Sequence, residues 1–449
     1  MDERHKTYRA WDARQGSQTA VSPRDALPED DLVFFVLDAI PGMDLSAFHE
    51  HDGRELHGQT PYDVTMLVTL LPYADAVGVC SSRKIAAACE RNLAFRAIVN
   101  DAPPDFRTLS DFRKIHGAAF RPLLVEVRRL AGALGLVQRG NLSTDGTKMK
   151  ANASRPQAMS YGYMTKDIAR LEAEVEQLLA PAEQTDAEQD AGWGSRRGDE
   201  WPAELKRRED RWAKIRAAKA RLEAEAPARA EDEQRRRDDE QARREAEGRP
   251  RRGQKPAPVD PTPEDKAQTN FTDPEATIMK QSHQGFDYSW NAPAVVDGRA
   301  QIIVAAEVSD AANDKRQGVP MGPAALDNLA AAGIEPPKTA DGTRAAIKNT
   351  LHNGYWSEET VEKWEGMSLD PPIATGRQKH NQSVEVPAPA VWPTTANAQE
   401  KMAEKLRSPI GRALDAARKH IVEPVFGQIK SARGIRTFLL RGQEKVSAE

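Results

Sequence analysis

The sequence has little cysteine, few aromatics and no long apolar run. Two cysteines in 449 residues, Cys80 and Cys89, exclude a disulfide framework and lack the spacing of a zinc site, so both are expected as small buried hydrophobes. His283, His380 and His420 form no zinc spacing either, and no transition-metal site is expected. Aromatic residues make up 6% of the chain. Asp, Lys or Arg interrupts every apolar stretch well before the ~18 residues that a membrane span needs, and mean hydropathy is -0.67. The opening MDERHKTYRAWDARQ is polar and has no apolar core of a secretory signal. These absences predict a cytoplasmic protein without a membrane partner.

What is present is length and unevenly placed charge. At roughly 150 residues per domain the chain predicts two or three folded units. The net charge of -4 argues against a uniformly basic surface, yet residues 401–449 hold 11 Lys/Arg against 5 Asp/Glu, whereas residues 1–60 hold 12 acidic against 6 basic. The basic tail is the electrostatic footprint expected for a polyanion; a solvated helix face would read the same way.

Composition and periodicity divide the chain into a polar arm (1–30), a helical region (31–138), a short strand-bearing segment (139–164), a charged helical insertion with a disordered linker (165–268) and a mixed α/β remainder (269–449). In the helical region the apolar residues recur at helical spacing, as in Leu32, Phe35 and Val36, or Val64, Leu67, Leu70 and Leu71. Caps are expected at Ser81 or Ser82 and at Ser110, with a break at Asn92. Arg83, Arg107 and Arg113 near helix starts are compatible with a helix-turn-helix-like DNA module and equally with an ordinary bundle. Leu142 to Met149 reads as a strand with Asp145 at its centre, and a buried acid there requires a partner for its charge.

In the insertion, Ile168, Leu171, Val175 and Leu178 follow a three-four alternation, as do Leu205, Arg208, Trp212, Ile215, Lys219 and Leu222, which predicts two long helices in a hairpin. The stretch DDEQARREAEGRPRRGQKPAPVDPTPEDK that follows is charge-dense and Pro-rich, which predicts a disordered linker over its second half. Beyond Ile278 the period falls to two. YSWNAPAVVD and GRAQIIVAAEVSD read as strands joined at Asp297-Gly298, followed by a helix at Met321 to Ala332, strands at His352 to Trp356 and Pro372 to Gly376, and a helix from about Glu400 to Lys430. A mixed sheet flanked by helices is the expected architecture.

Three loci put polar groups where apolar ones are usual: Asp145, the LHNGYWS strand at 351–357, and Glu423 in ARKHIVEPVFGQIK. Pro424 places Glu423 at a helix start or kink. Carboxylates from separate segments are what two-metal phosphoryl transfer requires, because hard oxygens hold Mg²⁺. Each acid alone reads equally as structural. Trp290 and Trp356 are expected in the core.

Several motifs together are similar to those of the DDE-type transposases of bacterial insertion sequences, in the branch with an N-terminal helical domain and a charged insertion in the catalytic domain. They are Tyr73 with Gly78 and SSR at 81–83, PPDFRTLSDFRKIH at 103–116, TDGTKMKANAS at 144–154, WNAPAVVD at 290–297, NGYWSEE at 353–359, ATGRQKH at 374–380 and GRALDAARKHIVEPVFGQIK followed by RGIRTF. The resemblance implies an α/β, RNase H-like (retroviral integrase-like) catalytic domain with a mixed sheet. A helical hairpin would interrupt that domain and an all-α N-terminal domain would precede it. It also implies two Asp and one Glu binding two Mg²⁺, with Mn²⁺ as substitute, and cutting and rejoining DNA at terminal inverted repeats.

Residue by residue, the resemblance puts the first acid on Asp145 and the Glu on Glu423, both as metal ligands. The second Asp, expected two residues before Gly-Tyr, is His352 here, a poor Mg²⁺ ligand without negative charge. Asp341 lies upstream of it, and Asp310 and Asp314 belong to the preceding strand and loop. Asp415 and Ala417 replace an aromatic and an Arg of the family pattern, and the chain stops at Glu449, before the family's last elements; both agree with a degraded copy. Lys148 and Lys150 share one face of the strand and are expected to meet phosphates or solvent. Arg377, Lys379, Arg418, Lys419, Arg433 and Arg436 would extend that DNA track. The expected partners are double-stranded DNA, at element ends and target, and further copies of the chain assembled on it near the bacterial nucleoid. The rival expectations are a catalytically inactive transposase-derived DNA-binding protein and, to explain 165–250 alone, a coiled-coil adaptor.

Overall fold

The computed structural model describes residues 22–49, 62–100, 102–137, 140–174, 203–246, 248, 257–281, 285–315, 317–335, 338–339, 341–342, 345–374 and 398–449. The chain divides into two compact units, one of residues 1–130 with 428–435 and one of residues 131–427 with 436–449.

The first unit is helical. It contains α1 (Leu32–Ala39), the short α2 (Ser46–His49), α3 (Val64–Ala76), α4 (Ser82–Arg91), α5 (Leu93–Val99), α6 (Phe106–Ile115) and most of α7 (Phe120–Ala133). Acidic and amide caps set its starts. Asp31 accepts from the Val33 amide at 2.9 Å and opens α1, Asp63 opens α3, and Asn92 both ends α4 and caps α5. The expected break at Asn92 is therefore present. The cap expected at Ser110 is not: Asp105 accepts from the Arg107 amide and starts α6, so Ser110 lies inside that helix. An Asp immediately before the chain turns helical competes better for the free amides than a serine already within the helix. Val33, Leu67, Leu70, Ile85, Phe95 and Leu109 form the core with Phe48, whose ring stacks on Phe112 at 6.1 Å and meets Phe120 edge-on at 5.1 Å.

The second unit is α/β. Its strands are β1 (Asn141–Lys150), β2 (Ala158–Ser160), β3 (Gln268–Asn270), β4 (Thr277–Gln281), β5 (Gly285–Asp297), β6 (Ile303–Ala306), β7 (Ile347–Leu351) and β8 (Leu369–Asp370). The main sheet runs β4-β5-β1-β7-β8, with β6 on the same edge of β5 as β4. β1 is central, antiparallel to β5 and parallel to β7. Its last residue gains a further neighbour, because the Lys150 amide donates to the Arg436 carbonyl and the Phe438 amide donates back to Lys150. The sheet is thus mixed, as expected.

Its helices are α8 (161–174), α9 (Ala203–Ala246), α10 (Gly318–Ala331), α11 (Glu358–Glu365), α12 (Ala398–Arg407), α13 (Pro409–Gly427) and α14 (Gln443–Ala448). Met321, Ala325 and Leu329 of α10 pack with Trp364 of α11 against Leu142 and Val295 of the sheet, while α13 lies along β1, β5 and β7. Trp290 is fully buried, and Trp356 is half-buried against this core.

The insertion leaves the sheet through a neck in which β2 pairs antiparallel with β3, Ser160 opposite Gln268. Beyond it, Met164 and Leu171 of α8 pack on Ile215 and Leu222 of α9, with Ile168 and Trp212 beside them. The expected seam residues Val175, Leu178, Leu205 and Arg208 lie outside the described side chains. DDEQARREA, the first half of the stretch, continues α9 to Ala246, carried by i,i+4 pairs such as Arg244–Glu240. For the second half, expected as a disordered linker, the described residues correct the expectation in part. Residues 257–267 return along α9, the Val259 amide donating to Gln234 Oε1 and the Tyr161 amide to the Ala267 carbonyl.

Three further expectations shift. LHNGYW is not a strand: β7 ends at Leu351, and His352 caps the single 3₁₀ turn Asn353–Tyr355 by accepting from the Gly354 amide at 3.1 Å. The β5–β6 connection is not a two-residue turn: Asp297 accepts from the Arg299 amide, and the left-handed residue is Gln301 at φ 59°. The helix expected over 400–430 is divided at Ser408, whose hydroxyl accepts from the Gly411 amide and so caps α13.

Candidate active site

Asp145 sits mid-way along β1. The parallel register pairs Thr144 with Leu351, so the residues that follow on the two strands are Asp145 and His352. The carboxylate of Asp145 accepts from the Gly146 amide at 2.8 Å and meets Arg418 of α13 at 3.4 Å. Both partners are largely enclosed, with 19% of the Asp145 side chain and 7% of the Arg418 side chain exposed. Burial raises the Asp145 pKa above the usual carboxylate value. The Gly146 amide and the charges of His352 and Arg418 oppose that rise, and Asp314 adds to it. The acid found by its odd position in a strand does have a charged partner: an arginine.

Side chains alternate across β1, so Gly146 looks to the face opposite Asp145. Here the absence of a Cβ matters. Tyr355 Oη, Asp314 Oδ1 and Asn291 Oδ1 lie 2.8, 3.0 and 3.1 Å from where a Gly146 Cβ would be. The other oxygen of Asp314 approaches Gly354, beside His352 Nδ1. Asn291 Nδ2 donates to Asp314 Oδ1 at 2.7 Å. Asn291 Oδ1 and the Tyr355 hydroxyl are buried without a hydrogen-bond partner. Sequence reasoning set Asp314 aside as a loop residue and singled out neither Asn291 nor Tyr355. Asn291, polar within the otherwise apolar run from Trp290 to Val296, was the available signal.

Glu423 is exposed on α13 and is not among the charges acting on Asp145. The reason is helical geometry. Arg418, Ile421, Val422 and Val425 form the buried face of α13, and Glu423 lies about 140° around the axis from Arg418 at ~100° per residue. Asp145, His352 and Glu423 therefore do not form one ligand set here. Among the described residues no three His, Cys, Asp or Glu side chains converge as a metal cage.

The basic residues have varied surroundings. Lys148 donates to the Ala312 carbonyl at 2.7 Å, and Lys150 is paired with Asp287 at 3.2 Å. Lys419 and Arg436 are exposed. Arg433, in the first unit, donates to the Ala76 carbonyl, and Arg377 and Lys379 lie outside the described residues. Also in the first unit, Arg113 is in the last turn of α6 and binds Asp75 and the Cys80 carbonyl, a structural role, while Arg83 and Arg107 lie over the Phe106 ring. Cys89 is buried, which pushes its thiol up to about 11, and Cys80 is half-buried.

Residues 21–115 match the family model described as Transposase domain (DUF772), and residues 377–449 match the one described as Transposase DDE domain. The two matches support an insertion-sequence DDE-type transposase. No curated protein and no solved structure matches it. Transposase families suggest DNA transposition, a nuclease-type activity in which DDE domains generally use divalent metal ions. No helix among the described residues is long and apolar enough to cross a membrane. The carboxylate of Asp145 fits such an ion in kind, as a hard oxygen donor on the face where it meets Arg418.

Proposed function

We propose that this transposase cuts DNA at the ends of its element and joins the freed 3′ end to target DNA, with Asp145 at the catalytic centre of an RNase H-like domain. The observation that supports the reading is the β1–β7 register: its last pair, Thr144 and Leu351, directly precedes Asp145 and the residue standing where the family has its second Asp, and His352 is among the charges acting on Asp145. The sheet supports the fold: an antiparallel β1-β5-β6 meander, a crossover through α10, and parallel strands on the other edge of β1.

Asp145 would anchor the metal; Glu423, which the family pattern names as a further ligand, is exposed away from the buried face of α13 and would have to turn toward Asp145 to join it. The bound ion, Mg²⁺ or Mn²⁺, supplies charge for the attacking and leaving oxygens of the phosphodiester. Arg418 neutralises Asp145 when nothing else does, and its guanidinium suits a phosphate oxygen equally well. Exposed Lys419 and Arg436 would hold the DNA backbone, giving affinity without sequence choice. Copies of the chain would assemble on double-stranded inverted repeats in the bacterial cytoplasm, at the nucleoid.

His352 in place of a carboxylate lowers the negative charge available for a hard cation, so activity of this copy is expected to be impaired. The test is cleavage, in Mg²⁺ and in Mn²⁺, of a plasmid carrying the DNA that flanks the gene. His352→Asp should cut at the element ends on the order of 100-fold faster than the unaltered chain, the scale of losing or gaining one charged transition-state contact. Asp145→Asn should not cut. Equal cleavage by the unaltered chain and His352→Asp would refute the impairment, and cleavage by Asp145→Asn would refute the assigned centre.

A further inference from the structure

In the helical unit two arginines meet over one exposed ring. Phe106 opens α6 and stays 36% exposed, although phenylalanine is ordinarily a core residue. The guanidinium of Arg83, in the first turn of α4, stands 5.0 Å from the ring centroid, and that of Arg107, the next residue on α6, stands 5.7 Å from it. The surrounding fold holds this arrangement in place. Ile85 and Cys89 of α4 share one core with Leu109 and Phe112 of α6. Arg113 of α6 grips the loop that enters α4, donating to the Cys80 carbonyl at 2.6 Å and to Asp75 at 3.2 Å. The same loop is held at Gly78, which takes a left-handed φ of 79° and where a Cβ would stand 2.9 Å from the Arg433 carbonyl oxygen.

Among the described residues no acid is paired with either guanidinium. Asp105, the acid nearest in sequence, is committed to capping α6: it accepts from the Arg107 and Thr108 amides at 2.6 and 3.2 Å and from the Thr108 hydroxyl. Those amides are the main cause of its lowered pKa, and the Arg107 charge is the least. Two like charges brought to one ring repel each other, and an anion beside both relieves the repulsion. The ring also orients them. A guanidinium resting on an aromatic face keeps its N–H fork free, and the fork matches two oxygens of one phosphate. All three residues lie inside the 21–115 match to a transposase domain, which favours the phosphates of DNA over the carboxylates of an acidic protein.

We propose that Arg83 and Arg107, oriented by Phe106, clamp the phosphate backbone of double-stranded DNA where α4 and α6 begin. The inference rests on the proposed action on DNA and adds to it a contact remote in sequence from Asp145. A clamp of this kind fixes where the duplex lies and makes no choice of base. It also divides the three arginines near the starts of these helices: Arg113 holds the fold, and Arg83 and Arg107 are left for a ligand.

Fluorescence anisotropy of labelled duplexes with the full chain, between about 50 and 200 mM salt, tests this apart from cleavage. Arg83→Gln and Arg107→Gln should each weaken binding roughly threefold or more and lower the slope of log affinity against log salt by about one, and the double variant by about two. The loss should be alike on element-end DNA and on an unrelated duplex. Phe106→Ala keeps both charges but removes the surface that orients them, so it should weaken binding, and Phe106→Tyr should restore it. If a glutamine variant loses its helical circular dichroism, Arg83→Lys with Arg107→Lys decides: it keeps the charge, loses the forks and should still bind more weakly. Unchanged affinity in the double glutamine variant, in its lysine substitute or in Phe106→Ala overturns the proposal. So does a weaker affinity at unchanged slope in the double glutamine variant, which marks a structural role, and so does equal competition by polyglutamate of matched charge, which marks an acidic protein as the partner. Asp145→Asn should bind DNA as the unaltered chain does, so a failed clamp and a failed catalytic centre are read separately. If the unaltered chain binds no duplex, the proposed function itself fails.

Discussion

Tyr355 shows what enclosure does to a single side chain at the sheet's end. Its phenol is fully buried and unpartnered. Burial, followed by the negative charges of Asp314 and Asp145, raises its pKa well above that of an ordinary phenol. A raised pKa means that the folded chain holds this proton more tightly than the unfolded chain does. The resulting stability is fully present below about pH 10 and is lost as pH climbs beyond it, by up to about 1.4 kcal/mol per pH unit. Thermal unfolding followed between about pH 9.5 and 11.5 should therefore show a steeper fall in Tm for the unaltered chain than for Tyr355→Phe. Parallel curves would mean that the phenol is reached by solvent. At this scale the sequence was legible where a polar residue broke an apolar pattern, as at Asp145. It was silent at Asp314, because a loop aspartate in AANDKRQ looks like any other solvated acid until the fold places it against a glycine.

Among the elements, α13 holds a lesson about proline. Pro424 was expected to force a start or kink, since it has no amide to give to the carbonyl four residues back. The helix instead runs from Pro409 to Gly427. The carbonyl left over is that of His420, and Gln301 Nε2 donates to it at 3.0 Å. The donor comes from the β5–β6 connection, where Gln301 adopts a left-handed φ of 59°. Gln301→Ala should cost about 1 kcal/mol, the worth of one hydrogen bond, read as a lowered denaturation midpoint. Gln301→Gly should relieve the backbone and still lose the bond. No change in Gln301→Ala would show that water serves the carbonyl as well. The periodicities that fixed β1, β5, α10 and the α8–α9 seam are local and were readable. The boundaries at Leu351 and Pro424 depend on partners distant in sequence and were not.

For the molecule as a whole, the β2–β3 neck is the informative joint. Ser160 and Gln268 face each other as the last pair of a small antiparallel ladder. A two-residue turn can therefore close the chain where α8, α9 and the return segment now stand. Replacing residues 161–267 with Asn-Gly should leave the main sheet folded, with its strand signal in circular dichroism intact. Some loss of Tm is expected, because Leu222 and Arg221 of α9 line a cavity of about 420 Å³ together with Thr269, Ala276 and Gln443 of the sheet side. A shortened chain with no cooperative transition would make the insertion part of the core.

The order of the sheet also sets a timetable. β1 is translated long before its neighbours: Leu142 pairs with Asp297 on one side and with Asn349 on the other, and Lys150 waits for Thr437. At 5–20 residues per second, roughly 10–40 s separate the emergence of β1 from that of β7. For that interval the strand that carries Asp145 has at least one open edge, ready to pair with any other extended chain nearby. A ribosome engaged on this message thus holds an unfinished central strand for longer than most small domains need to fold, and the yield of active protein in the cell will be governed by what shields that edge while the ribosome works.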